Sequence, residues 1–179
     1  MNQLETKRIF IALPLSLKTK EKIIRWQKRN SHFPVRYIPA ENLHITIIPP
    51  WYESNIQLVE EKLKTLENQF GPIFIHLEKI TLGPNFKNPR LIWIEGNTPF
   101  ELLNLKASLE KTLNLEPEKR FLKTHITIAR FSSYQSFNFP FKKLNEKINW
   151  EEKINNFVLM ESKLLKTGAQ YKILKDIIL

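Results

Sequence analysis

Short apolar runs along this chain alternate with segments in which apolar residues recur every three or four positions. The first pattern is typical of β-strands and the second of amphipathic helices. Strands are predicted at residues 8–15, 43–48, 72–82, 90–95, 125–131, 156–165 and 171–178. Helices are predicted after a candidate N-cap at Ser16, over 56–66, after a candidate N-cap at Thr98 that is followed by Pro99, and over 142–148. The pattern therefore predicts an α+β protein.

One short motif occurs twice. The tetrapeptide His-Ile-Thr-Ile at residues 44–47 recurs at 125–128, which is 81 positions later. The same shift moves Ile11, in the first predicted strand, onto Ile92 in the strand at 90–95. Each half of the chain thus contains a strand, a helix and then a strand that carries His-x-Thr-x. We interpret this as an internal duplication.

The repeated motif groups an imidazole with a hydroxyl. Because successive side chains of a strand face opposite sides, His44 and Thr46 share one face, and His125 and Thr127 repeat the arrangement. A pseudo-twofold axis between the two strands would gather all four side chains around one point. Opening a cyclic phosphodiester needs a base for water, an acid for the leaving oxygen, and donors to the phosphate oxygens. Two histidines and two threonines supply these groups, although geometry alone does not say which histidine is the acid.

Further phosphate-binding candidates are Arg130 and, less strongly, Arg36. A guanidinium suits a phosphate, but strict alternation places Arg130 on the face opposite His125, so a twist or a bulge would have to redirect it. Four aromatic residues near the motifs could stack on a base or could simply pack in the core: Tyr37, Trp51, Phe131 and Tyr134.

Several classes of chemistry are disfavoured by the composition. The absence of cysteine excludes thiolate nucleophiles and Cys-based zinc sites, and four glycines form no phosphate-binding loop. His32 and His76 have no counterpart in the repeat and are expected to be structural or solvated. Because a third ligand with recognisable spacing is missing beside His44 and His125, we expect neither a metal nor another cofactor.

Charge indicates the kind of partner. Twenty-eight Lys and Arg residues against eighteen Asp and Glu residues give a net charge of +10, which favours anionic partners, although solubility alone is an alternative explanation. The N-terminal apolar stretch is short and contains Pro14, and no run is long enough to span a bilayer. We therefore expect a cytoplasmic protein that does not associate with membranes.

These motifs resemble those of a known family. The chain is similar to the bacterial and archaeal RNA 2′,3′-cyclic phosphodiesterases, long labelled 2′-5′ RNA ligases, of the two-histidine phosphoesterase superfamily. The matching stretches extend over most of the chain and comprise residues 8–14, 39–47, 88–93, 125–130, 161–164 and 168–171. Two departures are Ile48-Pro-Pro-Trp51, where many relatives have Phe-Leu-Gly, and Thr124, where proline is usual. Both would affect base preference more than the chemistry.

The resemblance implies a bilobal α+β fold, with an antiparallel sheet and flanking helices in each lobe and the active site in the central cleft. Residues 1–179 would form one domain of two interleaved lobes, and we expect a monomer. The implied reaction opens 2′,3′-cyclic phosphates on RNA ends or nucleotides to a 2′-phosphate without a metal. By this resemblance His44 donates the proton to the leaving 3′ oxygen and His125 accepts one from water. Thr46, Thr127 and Arg130 would bind the phosphate.

Two alternatives remain open from the sequence. The same histidines could catalyse 2′-5′ RNA ligation, or hydrolysis of another small cyclic or 2′-5′-linked nucleotide. The chain could also be a non-catalytic, basic RNA-binding module.

Overall fold

The computed structural model describes residues 6–85, 89–131, 144–166 and 168–179. Within these ranges the strands are β1 Lys7–Pro14, β2 Arg36–Tyr37, β3 His44–Glu53, β4 Ile73–Gly83, β5 Leu91–Gly96, β6 His125–Arg130, β7 Asn145–Ile154, β8 Asn156–Leu165 and β9 Gly168–Ile178. The α-helices are α1 Leu17–Arg29, α2 Ile56–Lys64 and α3 Phe100–Leu113, and Ala40–Asn42 forms a single 3₁₀ turn. No helix in these ranges has the length and apolar character needed to cross a membrane.

The strands form a mixed α+β architecture around a large antiparallel sheet. Its order is β7-β4-β5-β6-β3-β1-β8-β9, and β2 pairs with β6. The first lobe contributes β3-β1-β8-β9 and the second contributes β6-β5-β4-β7, so the order within one lobe mirrors that within the other. The two halves meet where β3 pairs with β6 at Ile45 and Ile126. The bilobal fold expected from the resemblance is therefore present, but the sheets expected in the two lobes are the two halves of one continuous sheet, joined at this contact.

The internal duplication is visible in the strand register. In the first lobe the pairs between β1 and β3 include Pro14 with His44, Leu13 with Ile45 and Ala12 with Thr46. In the second lobe the pairs between β5 and β6 include Glu95 with His125, Ile94 with Ile126 and Trp93 with Thr127. Each pair of the second set lies 81 residues beyond its counterpart in the first. The shift found in the sequence is therefore a shift between equivalent strand pairs.

The core occupies the face of the sheet opposite the motif histidines. Isoleucines at positions 45, 47, 126 and 128 are at most 1 % exposed and pack in one cluster with residues of α1 and α3. Helix α1 also reaches the second lobe, because Trp26 donates its indole N–H to Glu146 of β7. The histidine-bearing face is covered only in part, by a small cluster of Phe10, Ala12, Val158 and Met160.

Two of the predicted helix features differ from the structure. The N-cap of α3 is Pro99 and not Thr98, because the Thr98 hydroxyl instead lies 2.9 Å from the hydroxyl of buried Thr124. The helix predicted at 142–148 is wrong, since residues 145–148 begin strand β7 and residues 142 and 143 lie outside the described ranges. Pairing with β4 over the length of β7 determines the conformation there, which local sequence does not show.

Other strand boundaries differ from the predicted ones, because pairing with distant strands determines where each strand begins and ends. Strand β3 continues past the predicted end at residue 48, through Pro49 and Pro50 to Glu53. Prolines are tolerated there because β3 pairs with β6 only near its start, so little ladder is lost on that side. The two-residue strand β2 was not predicted, and β9 begins at Gly168, three residues before the predicted strand.

The N-terminus of α1 provides a stability test. Ser16 caps the helix as predicted, and Glu152 of β7, only 1 % exposed, accepts hydrogen bonds from the Ser16 amide at 2.6 Å and from its hydroxyl at 2.9 Å. Ser16→Ala removes the cap and one donor to a buried carboxylate, so we expect the free energy of unfolding in urea to fall by about 2 to 3 kcal/mol. The matched control is Asn55→Ala, which removes only the exposed cap of α2 and should cost about 1 kcal/mol. Equal losses would contradict the bridging role of Glu152.

Candidate active site

Both copies of the motif line a single cleft of about 1080 Å³. Strand alternation accounts for this, because the isoleucines of β3 and β6 enter the core and the remaining side chains must project to the other face. His44, Thr46, His125 and Thr127 all line the cleft, and each is partly exposed. The pairing of β3 with β6 places the two strands side by side, so the two imidazole–hydroxyl pairs face the same space.

The two imidazoles are anchored in the same way. Nδ1 of His44 donates to the backbone carbonyl of Asn42 at 2.8 Å, and Nδ1 of His125 donates to that of Lys123 at 2.7 Å. These carbonyls are again 81 residues apart. Because a carbonyl can only accept, each Nδ1 carries a hydrogen, and the Nε2 of a neutral ring is left with a lone pair. Nε2 of His44 lies 3.1 Å from the Thr46 hydroxyl, which donates to it when the ring is neutral.

Burial makes both rings weak bases. Removal from water lowers the pKa of His44 to about 4, the charges of His125 and Arg130 act in the same direction, and the bond to Asn42 partly opposes them. The pKa of His125 is also lowered, mainly by burial, with the charges of Lys123 and Arg130 adding to the effect. Both imidazoles are therefore neutral at pH 7 when the cleft holds no anion.

Glu95 distinguishes the second histidine from the first. It pairs with His125 across β5 and β6, whereas Pro14 holds the corresponding place beside His44. Burial alone would raise the pKa of Glu95, but hydrogen bonds and charge from Lys123 and Lys79 hold it below its ordinary value. The resulting carboxylate opposes the lowering of the His125 pKa. The duplicated scaffold thus gives its two histidines different electrostatic surroundings.

Aromatic side chains differ between the two imidazoles as well. The ring of His44 lies 5.1 Å from that of Phe10 and 5.2 Å, edge to face, from that of Tyr171. The ring of His125 lies 4.7 Å from the Trp93 indole. Sequence reasoning did not identify Phe10, Tyr171 or Trp93 as neighbours of the histidines. Trp93 could have been found from the repeat. The 81-residue shift aligns its strand with β1, and β1 is the strand beside the first histidine motif.

Arg130 lines the cleft despite strict alternation, and a bulge explains how. Between β5 and β6 the register shifts, so that Ile92 pairs with Ala129 but Trp93 pairs with Thr127, and Ile128 has no partner on β5. An extra residue in one strand turns the following side chain to the other face. The same shift occurs between β1 and β3, where the counterpart of Arg130 is Pro49. Only the second half of the duplication therefore contributes an arginine at this place.

The remaining candidates divide into cleft and core residues. Arg36 and Tyr37 line the cleft, whereas Trp51 and Phe131 pack against the core, and Tyr134 lies outside the described residues. His32 and His76 do not line it. Arg8 does, although sequence reasoning overlooked it. Within the described part of the chain, no three His, Asp or Glu side chains come close enough together to hold a metal ion.

The arrangement of strands and helices around the duplicated cleft is the fold of the two-histidine phosphoesterases. The profile of the LigT like Phosphoesterase family matches residues 13–93. A relative from Methanocaldococcus jannaschii, curated as an RNA 2′,3′-cyclic phosphodiesterase, is 29 % identical over 94 % of this chain and 99 % of its own length. A crystal structure from Thermus thermophilus has a TM-score of 0.78 at 21 % identity and covers 96 % of this chain and 97 % of its own. Escherichia coli LigT complexed with 3′-AMP has a TM-score of 0.73 at 22 % identity, with coverages of 98 % and 99 %.

This chain is thus similar in sequence to the LigT-like phosphoesterases, and its fold is theirs. The resemblance found in the sequence is confirmed, and the chain is an enzyme and not a non-catalytic RNA-binding module.

The influence of Glu95 on His125 can be measured directly. Removing its negative charge withdraws a group that favours the imidazolium, so Glu95→Gln should lower the pKa of His125 further. The pKa of His44 should not change, because Glu95 is not among the groups that shift it. Titration of the ring resonances by NMR in the wild type and the variant tests both expectations. A rise in the pKa of His125, or an equal shift in both rings, would contradict this account of Glu95.

Proposed function

We propose that this enzyme hydrolyses 2′,3′-cyclic phosphates on RNA ends or nucleotides to 2′-phosphomonoesters, with His44 and His125 as its acid–base pair and without a metal. The observation that carries the proposal is the pair of identically anchored imidazoles in one cleft, each with an Nε2 available for proton transfer. The printed activity of the Methanocaldococcus jannaschii relative, similar over nearly its whole length, supports the choice of substrate.

The reaction needs one proton removed and one supplied. Water attacks phosphorus and gives a proton to Nε2 of His125, while the bond from phosphorus to the 3′ oxygen breaks. The 3′ oxygen takes a proton from Nε2 of His44, and the intact bond to the 2′ oxygen leaves a 2′-phosphomonoester. This assignment of roles follows the resemblance to the family. His125 ends the reaction protonated and His44 neutral, and exchange with solvent restores the starting state.

The lowered pKa of His44 restricts when this side chain can act as the proton donor. A donor with a pKa of about 4 is neutral at pH 7, so His44 can give a proton only after the bound phosphate anion has raised its pKa. The proton acceptor needs no such change, because His125 is already neutral. The carboxylate of Glu95 makes protonation easier at His125, which suits a base that must take up a proton during the reaction.

Three further side chains would hold the phosphate. The hydroxyls of Thr46 and Thr127 are donors that lie on the same strand faces as the imidazoles, so they suit the non-bridging oxygens. The Arg130 guanidinium is close enough for its charge to lower the pKa of both histidines, so a phosphate between the two rings lies within its field. We still expect the enzyme to be cytoplasmic and monomeric.

The test uses an RNA oligonucleotide with a 2′,3′-cyclic phosphate, in the presence of a chelator, with 2′- and 3′-phosphate products resolved. We expect the wild type to form the 2′-phosphate, and His44→Ala and His125→Ala to lower kcat by about 10²- to 10⁴-fold each, which is the usual contribution of one general acid or base. His76→Ala is the matched control, because His76 is exposed on β4 and does not line the cleft. An oligonucleotide that stays intact while a 2′-5′ dinucleotide is cut, or activity lost with the chelator, would refute the proposal.

A further inference from the structure

The cleft contains more positive charge than one cyclic phosphate can balance. Among the described residues that line it, the arginines are Arg8, Arg36 and Arg130, and the only carboxylate is that of Glu41. The two histidines add no charge near pH 7 while the cleft holds no anion. A cyclic phosphodiester carries a single negative charge, which is smaller than the excess of arginines over carboxylates in this lining. Cations held together at one site favour a ligand of higher negative charge.

The Arg36 guanidinium lies against the start of β9. Arg36 belongs to the two-residue strand β2, where it pairs with Arg130 of β6 in the second lobe. Its guanidinium nevertheless lies against Gly168, at the start of β9 in the first lobe, where a Cβ would come within 2.8 Å of the Arg36 Nη1. Gly168 has a φ of +134°, a conformation that favours glycine, so the absence of a side chain there accommodates the guanidinium.

A hydrogen bond joins the start of β9 to the segment that precedes the first motif. The Asn42 side-chain amide donates to the carbonyl of Ala169 at 3.0 Å, and the carbonyl of the same Asn42 accepts from the His44 ring. Arg36 therefore rests on a part of the cleft wall that is connected to the catalytic strand. Arg130, in contrast, acts on both imidazoles. The two paired arginines thus serve different parts of one cleft.

Resting on the proposed function, we infer that Arg36 binds the phosphodiester joining the terminal nucleotide to the one before it. The cleft then has separate places for two successive phosphates, with the reacting one between the histidines and the preceding one at Arg36. The enzyme accordingly prefers an RNA end to a cyclic mononucleotide.

The experiment compares two substrates, a 2′,3′-cyclic mononucleotide and a dinucleotide that ends in the same cyclic nucleotide. We expect the wild type to have the higher kcat/KM on the dinucleotide, and Arg36→Gln to lower the ratio of the two kcat/KM values about tenfold, as expected for loss of one hydrogen-bonded charge contact. The magnitude of the slope of log kcat/KM against log salt should fall by about 0.7 for the dinucleotide, as for one lost contact to single-stranded RNA.

Arg25→Gln is the matched control, because it also removes one positive charge. Arg25 lies on α1 away from the cleft lining, is 66 % exposed, and pairs with Glu21 at 3.9 Å. The ratio of kcat/KM values should be unchanged in this variant. An equal loss on both substrates in Arg36→Gln would mean that Arg36 serves the reacting phosphate or the fold, and either this result or an unchanged ratio would overturn the inference.

A binding measurement separates this inference from the proposed function. The affinities of a nucleoside 2′-phosphate and of a dinucleotide ending in a 2′-phosphate are measured by titration, which needs no turnover. If the wild type opens no cyclic phosphate but Arg36→Gln selectively weakens dinucleotide binding, the proposed function fails while the second phosphate site stands. If both substrates are opened but Arg36→Gln weakens the two ligands equally, the second site fails alone.

Discussion

The geometry of the cleft depends on the contact between β3 and β6, where Ile45 pairs with Ile126. Both isoleucines are buried, and their burial determines which face of each strand turns toward the core. A slip of one residue in either strand would exchange its faces, and would move an imidazole into the apolar core and an isoleucine into the cleft. The hydrophobic effect thus positions the histidines indirectly. Burial of the isoleucines that alternate with the motif residues determines which face of each strand lines the cleft.

Duplication explains what the two halves share, and single substitutions explain how they differ. Strand register, the bulge and the carbonyl that anchors each ring all repeat at the same interval. Glu95 and Arg130, however, have prolines as their counterparts, Pro14 and Pro49. Both charged groups therefore come from the second half. A symmetric scaffold with one-sided charges can support two histidines with different tasks, which a base and an acid require.

Much of the site could be predicted from the sequence, because the period-2 alternation and the repeat are local patterns. These patterns placed His44, Thr46, His125 and Thr127 on common faces, and the structure brings the four into one cleft. The place of Arg130 could not be predicted, since a bulge arises from pairing with β5 and leaves no local signature. The same limit applies to residues 145–148, which join β7 through pairing with β4, and to Thr98, whose hydroxyl meets Thr124 instead of capping α3.

The two imidazoles are proposed to act on a single phosphorus atom. A crystal structure with a nucleoside 2′,3′-cyclic vanadate, which adopts the five-coordinate geometry of the transition state, tests this proposal most directly. We expect one vanadium centre, with Nε2 of His44 and Nε2 of His125 each within hydrogen-bonding distance of a different apical oxygen. Vanadate bound beside only one histidine, or with both imidazoles turned away from the vanadium, would contradict it.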